Sequence, residues 1–287
     1  LDMTTQSPTP ATSQAPQSLT DDQTRSSART MLNKVPQIFL LFWVVKIFST
    51  TVGETAADFL ASNVGLGLTG TSLIMAGLTA AALAFQFRAR RYVPAIYWTC
   101  VVLISIMGTL ITDNLVDNLG VSLWTTTLAF SVALAATFGA WFRSERTLSI
   151  HTILTSRREG FYWSAILLTF ALGTSAGDLV GEKLALGYLP SAGLFGVLIA
   201  LVTVAHLKGG LNAVLAFWTA YILTRPFGAS VGDYLTQAPA DGGLGLGANA
   251  TSGLFLVVII AAVSWFTVQQ RRDDTLAASS TGGELIA

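Results

Sequence analysis

The sequence predicts an all-α transmembrane protein: eight helices in four tandem, parallel two-helix repeats. Three observations predict it, namely the composition, a series of long apolar runs, and one residue pattern that recurs four times. Of the 287 residues, 52% are hydrophobic and 11% charged, and the mean hydropathy is +0.60. Soluble domains carry about 25% charged residues, so this balance suits lipid as the solvent. Apolar runs cover 37–60, 70–87, 95–118, 121–141, 161–181, 190–206, 211–235 and 252–269. Each comes near the roughly 20 residues that a helix rising 1.5 Å per residue needs to cross the hydrocarbon. Too little polar sequence remains to give eight buried helices a water-soluble shell.

In chain order, residues 1–33 are rich in Ser, Thr, Gln and Pro, a composition that predicts a disordered tail. Residues 34–270 form the predicted eight-span domain, with repeats at about 34–91, 92–146, 157–209 and 210–270, and 271–287 form a second polar tail. No cleavable signal segment is expected. Cys100, the single cysteine, lies inside a predicted span, which excludes disulfides and cysteine-based metal clusters. The formal net charge is zero, yet the charges are segregated. Arg88, Arg90, Arg91, Arg143, Arg146, Arg157, Arg158, Lys208, Arg271 and Arg272 follow the even-numbered runs, while Lys183 is the one cation in the opposite loops. The positive-inside rule then predicts cytoplasmic termini and a multi-pass topology in a bacterial inner membrane.

The repeat is found by aligning the chain with itself. Trp43, Trp98, Trp163 and Trp218 are 55, 65 and 55 residues apart, and each follows an aromatic residue, Phe42, Tyr97, Tyr162 or Phe217. Ten residues after each tryptophan comes a glycine (Gly53, Gly108, Gly173, Gly228), and five further on an aspartate (Asp58, Asp113, Asp178, Asp233). Ten extra residues fall between the second and third units, around His151. Two spans return the chain to its starting side, so all four units point the same way. Such parallel repeats pack about an axis along the membrane normal, as a pseudo-fourfold ring or as two pairs. In the stretches KIFSTTVGETAADFL, FALGTSAGDLVGEKLALGY and RPFGASVGDYL with the following GGLGLG, the chain resembles bacterial membrane proteins defined by tandem copies of domain of unknown function 347. The resemblance covers residues 34 to about 270. It implies the repeat architecture and no activity.

Steps of four from each aspartate trace a polar stripe on one helix face. The stripes are Lys46, Thr50, Glu54, Asp58, Ser62; Ser105, Thr109, Asp113, Asp117; Thr174, Asp178, Glu182; and Tyr221, Arg225, Asp233, Gln237. The outer half holds eight acids, these seven and Asp241, against the three bases Lys46, Lys183 and Arg225, a formal charge of −5. A charged residue within a span costs roughly 2.5–3.5 kcal/mol. Two carboxylates about 4 Å apart repel by roughly 4 kcal/mol at an effective dielectric of 20. Such groups must share protons, pair with cations, open to water, or bind a cation.

The predicted ion site is therefore Asp58, Asp113, Asp178 and Asp233, which would ligate a metal, with Glu54, Asp117, Glu182, Thr109 and Thr174 as further ligands or proton carriers. Lys46 and Arg225 would be counter-ions to Glu54 and Asp233. Gly53, Gly108, Gly173 and Gly228 would act as hinges whose freed carbonyls become ligands. Oxygen ligands without nearby Cys or His favour Mg²⁺, Mn²⁺, Ca²⁺ or protons. Beyond an optional divalent cation, Mn²⁺ or Mg²⁺, no cofactor is expected.

Blander alternatives stand beside these. The aspartates could cap helices in water. The tryptophans fit packing or interface anchors better than a cation–π cage. The cluster Arg157–Arg158–Glu159 with His151 fits a solvated membrane surface. The GLGLG-like stretches follow no strand, so they are not dinucleotide loops. With no nucleophile–base set, metal-hydrolase pattern or phosphate loop, no enzyme activity and no nucleic-acid partner are expected. The expected function is transport of a small cation, a divalent metal exchanged with protons. The alternatives are a non-transporting membrane scaffold or sensor, and a passive cation channel. The expected partners are the lipid bilayer and the cation; the oligomeric state is left open.

Overall fold

A computed structural model describes residues 34–62 and 65–284; the tail at 1–33 lies outside them. The described residues contain eight long α-helices and no strand: α1 (Leu40–Ser62), α2 (Gly67–Arg88), α3 (Pro94–Asp113), α4 (Leu123–Glu145), α5 (Ser156–Asp178), α6 (Tyr188–Gly209), α7 (Ala213–Thr236) and α8 (Ala248–Glu284). The helices coincide with the eight apolar runs to within a few residues, except that α8 continues far into the C-terminal polar stretch. Seven of them are long and apolar enough to cross a membrane. The exception is α7, which has 24 residues but carries Arg225, Pro226 and Asp233. Its length suffices for the hydrocarbon; its polarity belongs to the stripe it turns inward.

Local chemistry sets the boundaries. Pro94 opens α3, where its missing N–H is not needed. Ser122, Thr155 and Asn212 cap α4, α5 and α7 by accepting hydrogen bonds from first-turn N–H groups. At the end of α6, Gly210 adopts φ 70°, the left-handed cap conformation that glycine takes without strain.

The helices sort into an inner and an outer set. In the spans of α1, α3 and α5, 61, 67 and 61% of the residues are buried, against 17, 11, 17 and 22% in α2, α4, α6 and α8. Each odd-numbered helix packs on two others, α1 on α3, α3 on α5, α5 on α7 and α7 on α1, so the four close into a ring. The outer helices pack chiefly on the next repeat: α2 on α3, α4 on α5, α6 on α7 and α8 back on α1. The packing pair is thus offset by one helix from the repeating sequence, and every unit clasps its successor.

The repeat glycines make this ring possible. A Cβ on Gly53 would stand 2.5 Å from Ser105 Cβ, one on Gly108 2.5 Å from Phe170 Cβ, and one on Gly228 2.8 Å from Thr50 Cγ2; on Gly173 it would run into Arg225. In each case the obstructing residue lies on the next inner helix, three positions before that helix's own glycine. The helices run unbroken through all four glycines, so the expected hinge role is replaced by close backbone approach, the use of small residues between helices in lipid. The irregular backbone comes after the aspartates instead: π-helical turns at Asn114–Asn118 and Leu179–Lys183.

Towards the arginine-rich end, the repeat aromatics join the ring. Ring centroids lie 5.6 Å apart for Phe42–Trp98, 5.5 Å for Tyr97–Trp163, 6.2 Å for Tyr162–Trp218 and 5.7 Å for Phe217–Trp43, so in every neighbouring helix pair the aromatic before one tryptophan meets the tryptophan of the next repeat. Trp98, Trp163 and Trp218 are buried, so they serve packing and not a lipid-facing belt.

The glycine contacts predict opposite signs for two equivalent substitutions. Gly108→Ala should destabilise the detergent-solubilised protein by about 1–3 kcal/mol through overpacking. Gly77→Ala, with open space around its Cβ, should be neutral or stabilising by roughly 0.5–1 kcal/mol. Denaturant unfolding of both variants checks the pair.

Candidate functional site

All four repeat aspartates, with Glu54, Asp117 and Glu182, line one cavity of about 630 Å³. It opens where the inner helices end and the outer ones begin, opposite the arginine-rich loops. The repeat numbering orders it in tiers. One residue after each glycine come Glu54, Thr109, Thr174 and Ala229; five after, the aspartates; nine after, in the last three repeats, Asp117, Glu182 and Gln237. Asp58, Asp117 and Glu182 are exposed to the cavity mouth, while Asp113, Asp178 and Asp233 are half-buried.

Of the seven carboxylates only Glu54 has an ion-pair partner among the described residues. Neither Asp113 nor Asp178 caps the helical turn that follows it, so capping does not account for these two. Both also sit at the C-terminal end of an α-helix, where the helix dipole disfavours negative charge. The carboxylates are shared by the cavity but not gathered at a point: among the described residues no three His, Cys, Asp or Glu side chains could hold a metal ion. Among the described residues Asp58, Asp113, Asp178 and Asp233 thus share a cavity without being grouped closely enough to hold a metal ion among them. They stand on the wall of a space much wider than a bare ion.

The floor is a single guanidinium. Arg225 is fully buried on α7, and its Nη2 donates to Glu54 Oε2 at 2.6 Å, to Thr174 Oγ1 at 2.7 Å and to Thr109 Oγ1. Nη1 donates to the Thr50 carbonyl at 3.2 Å and Nε to the Phe170 carbonyl at 3.4 Å. The three side-chain partners are the three polar residues of the tier that follows the glycines, one each from α1, α3 and α5. Thr109 also donates to Glu54 Oε2 at 3.2 Å. The counter-ion of Glu54 is thus Arg225, not Lys46, because the arginine fork spans the ring while the lysine starts two turns lower on Glu54's own helix. Among the described residues Asp233 has no cation within ion-pair distance.

Lys46, also fully buried, forms the layer beneath. Its ammonium lies 4.2 Å from the Phe170 ring centroid and 4.4 Å from that of Tyr221, and donates to Thr50 Oγ1 at 3.2 Å. Among the described residues no carboxylate comes within ion-pair distance of it. Below it the Tyr97 and Tyr162 hydroxyls meet at 2.5 Å, and the buried Tyr221 hydroxyl has no hydrogen-bond partner among the described residues.

A second buried ion pair sits at the arginine-rich end. Lys34 Nζ donates to Glu159 Oε2 at 2.6 Å and to the Phe87 carbonyl at 3.2 Å, and Gln86 Nε2 donates to Glu159 Oε1 at 3.0 Å. Glu159 is fully buried, which corrects its expected place on a solvated face; Arg157 and Arg158 do lie nearer the surface, both paired with Glu145. The sequence carried one clue to this cluster: Gln86 is polar within an otherwise apolar run.

A family model described as Repeat of Unknown Function (DUF347) matches residues 41–92, 96–147, 161–208 and 216–272. Each match takes in one inner helix and the outer helix that follows it. No curated protein and no solved structure matches the chain.

Breaking a buried pair leaves an uncompensated charge and costs roughly 3–5 kcal/mol. Arg225→Met should lower stability by that amount, while Arg225→Met combined with Glu54→Gln should recover most of it. Chemical denaturation of the two single variants and the double variant checks this; additive losses would contradict the pairing.

Proposed function

The chain belongs to the DUF347 repeat family, and from that premise we propose that it is a carrier of small cations, with the acidic cavity as one half of the pathway and the Arg225–Glu54 pair as its gate. The observation that carries this reading is the shared cavity: every repeat contributes its aspartate to the same wall. The proposed arrangement is a pseudo-fourfold set of parallel repeats about the membrane normal, with both termini on the cytoplasmic side of a bacterial inner membrane. The cavity then faces outward, where unpaired carboxylates raise the local concentration of cations.

A hydrated divalent ion, Mn²⁺ or Mg²⁺, is the substrate this wall suits. Mg²⁺ gives up its water reluctantly, and the cavity has room for an ion that keeps it. On reaching the floor, the ion competes with Arg225 for Glu54, and loss of that pair frees the four inner helices to rearrange. The carboxylates that release an ion can take up protons, which provides the coupling. Two buried cations on the axis, Arg225 and Lys46, repel a passing cation while the pair is closed. That favours a carrier over a passive channel.

The second reading, a non-transporting scaffold or sensor, is favoured by the Arg225 network itself, since it fastens all four inner helices together.

Uptake of Mn²⁺ and Mg²⁺ by proteoliposomes separates the two. Asn at any one of Asp58, Asp113, Asp178 or Asp233 should slow initial uptake roughly tenfold or more, an effect of about 1.4 kcal/mol, while thermal stability stays at or above that of the wild type. Absence of ion uptake by the wild type, or uptake by all four variants at the wild-type rate, would reject the carrier.

A further inference from the structure

The ten residues that separate the second and third repeats beyond the common spacing are not a solvated loop. Ile150 and Ile153 are buried. The Leu148 carbonyl accepts from Trp218 Nε1 at 2.9 Å, the Thr152 carbonyl from Arg158 Nη1 at 3.0 Å, and the Ile153 carbonyl from the Lys34 N–H at 3.4 Å. The insertion is therefore laid across the arginine-rich end of the ring and tied to α7, to α5 and to the segment that enters α1.

Beneath it lies a second cavity, of about 570 Å³, walled mainly by apolar side chains of α1, α6 and α7. It lies beside the contact of α1 with α7, on the side where α6 packs on α7. Small residues on α7, Ala213, Ala216 and Ala220, deepen it. Apolar walls between membrane-spanning helices suit an acyl chain.

The mouth has a different chemistry. Ser149 and His151 of the insertion and His206 in the last turn of α6 line it. Arg146, two residues before Leu148, and Lys208, next to Leu207, are exposed, and neither has a carboxylate partner among the described residues. An apolar slot between helices with a polar mouth, and with two exposed cations one or two residues along the chain from its lining, is complementary to an anionic phospholipid: one acyl chain in the slot and the phosphate at the mouth.

We propose that the repeat-breaking insertion builds a binding site for an anionic phospholipid in the α1–α6–α7 seam. The insertion supplies the roof and the headgroup contacts, and the repeats supply the chain slot. The site lies at the opposite end of the ring from the acidic cavity and does not depend on what that cavity carries.

The test uses the full chain, delipidated in detergent and titrated with palmitoyl-oleoyl phosphatidylglycerol or phosphatidylcholine, with binding read by native mass spectrometry and thermal unfolding. Phosphatidylglycerol should bind more tightly and raise the unfolding midpoint in proportion to its occupancy. Arg146→Ala should weaken phosphatidylglycerol about fivefold, the effect of roughly 1 kcal/mol per basic residue near a lipid surface, and leave phosphatidylcholine unchanged. Thr203→Trp, an exposed position on the slot wall that can change without disturbing the core, should weaken both lipids. Equal affinity of the wild type for the two lipids, or undiminished phosphatidylglycerol binding by Thr203→Trp, would overturn the proposal.

Discussion

The inner ring depends on one guanidinium in a place where a charge is expensive. Arg225 extends from α7 and donates to residues of α1, α3 and α5, so a single side chain bonds to every other member of the ring. An isolated charge in a membrane interior costs several kcal/mol. Five donors in a fixed fork can offset that cost when each finds an acceptor. Here the acceptors are the Glu54 carboxylate, two threonine hydroxyls and two helix carbonyls. Part of the ring's stability therefore resides in polar contacts that a purely apolar bundle would lack.

The remainder comes from close approach. Apolar side chains gain little by leaving lipid for protein, so helices in a membrane associate through packing. One glycine per inner helix lets its neighbour come near enough for Thr50, Ser105, Phe170 and Arg225 to occupy the space. Those four residues share a single position of the repeat. Three of them fill the gap without charge, and the fourth supplies the guanidinium, so duplication set the geometry and divergence of one copy placed a charge at the centre. The same divergence gives the next tier its acceptors, Glu54, Thr109 and Thr174.

Much of this was legible in the residues, for stated reasons. Helix positions follow from apolar runs, because lipid leaves the backbone few other choices. That Asp58, Asp113, Asp178 and Asp233 line one cavity follows from their equal spacing in the four repeats. Three things were not legible. The partner of Glu54 depends on which helix lies across the ring, and a stripe on one helix does not reveal that. The glycines suggested hinges because a glycine in a helix suits either a break or a close contact, and only the neighbouring helix decides between them. The offset of outer helices onto the next repeat leaves no trace in periodicity, since the repeating unit is the same whichever inner helix it clasps.

These features meet in one claim: Arg225 closes the axis beneath a cavity that all four repeats share. Cysteine accessibility tests it most directly, because the one native cysteine, Cys100, is buried. Asp58→Cys, Asp113→Cys, Asp178→Cys and Asp233→Cys should each react with a membrane-impermeant thiol reagent applied from the face onto which the acidic cavity opens. Ser105→Cys and Tyr221→Cys, at and below the level of Arg225, should remain unreacted. Labelling of either lower position, or protection of any one of the four upper ones, would contradict the claim.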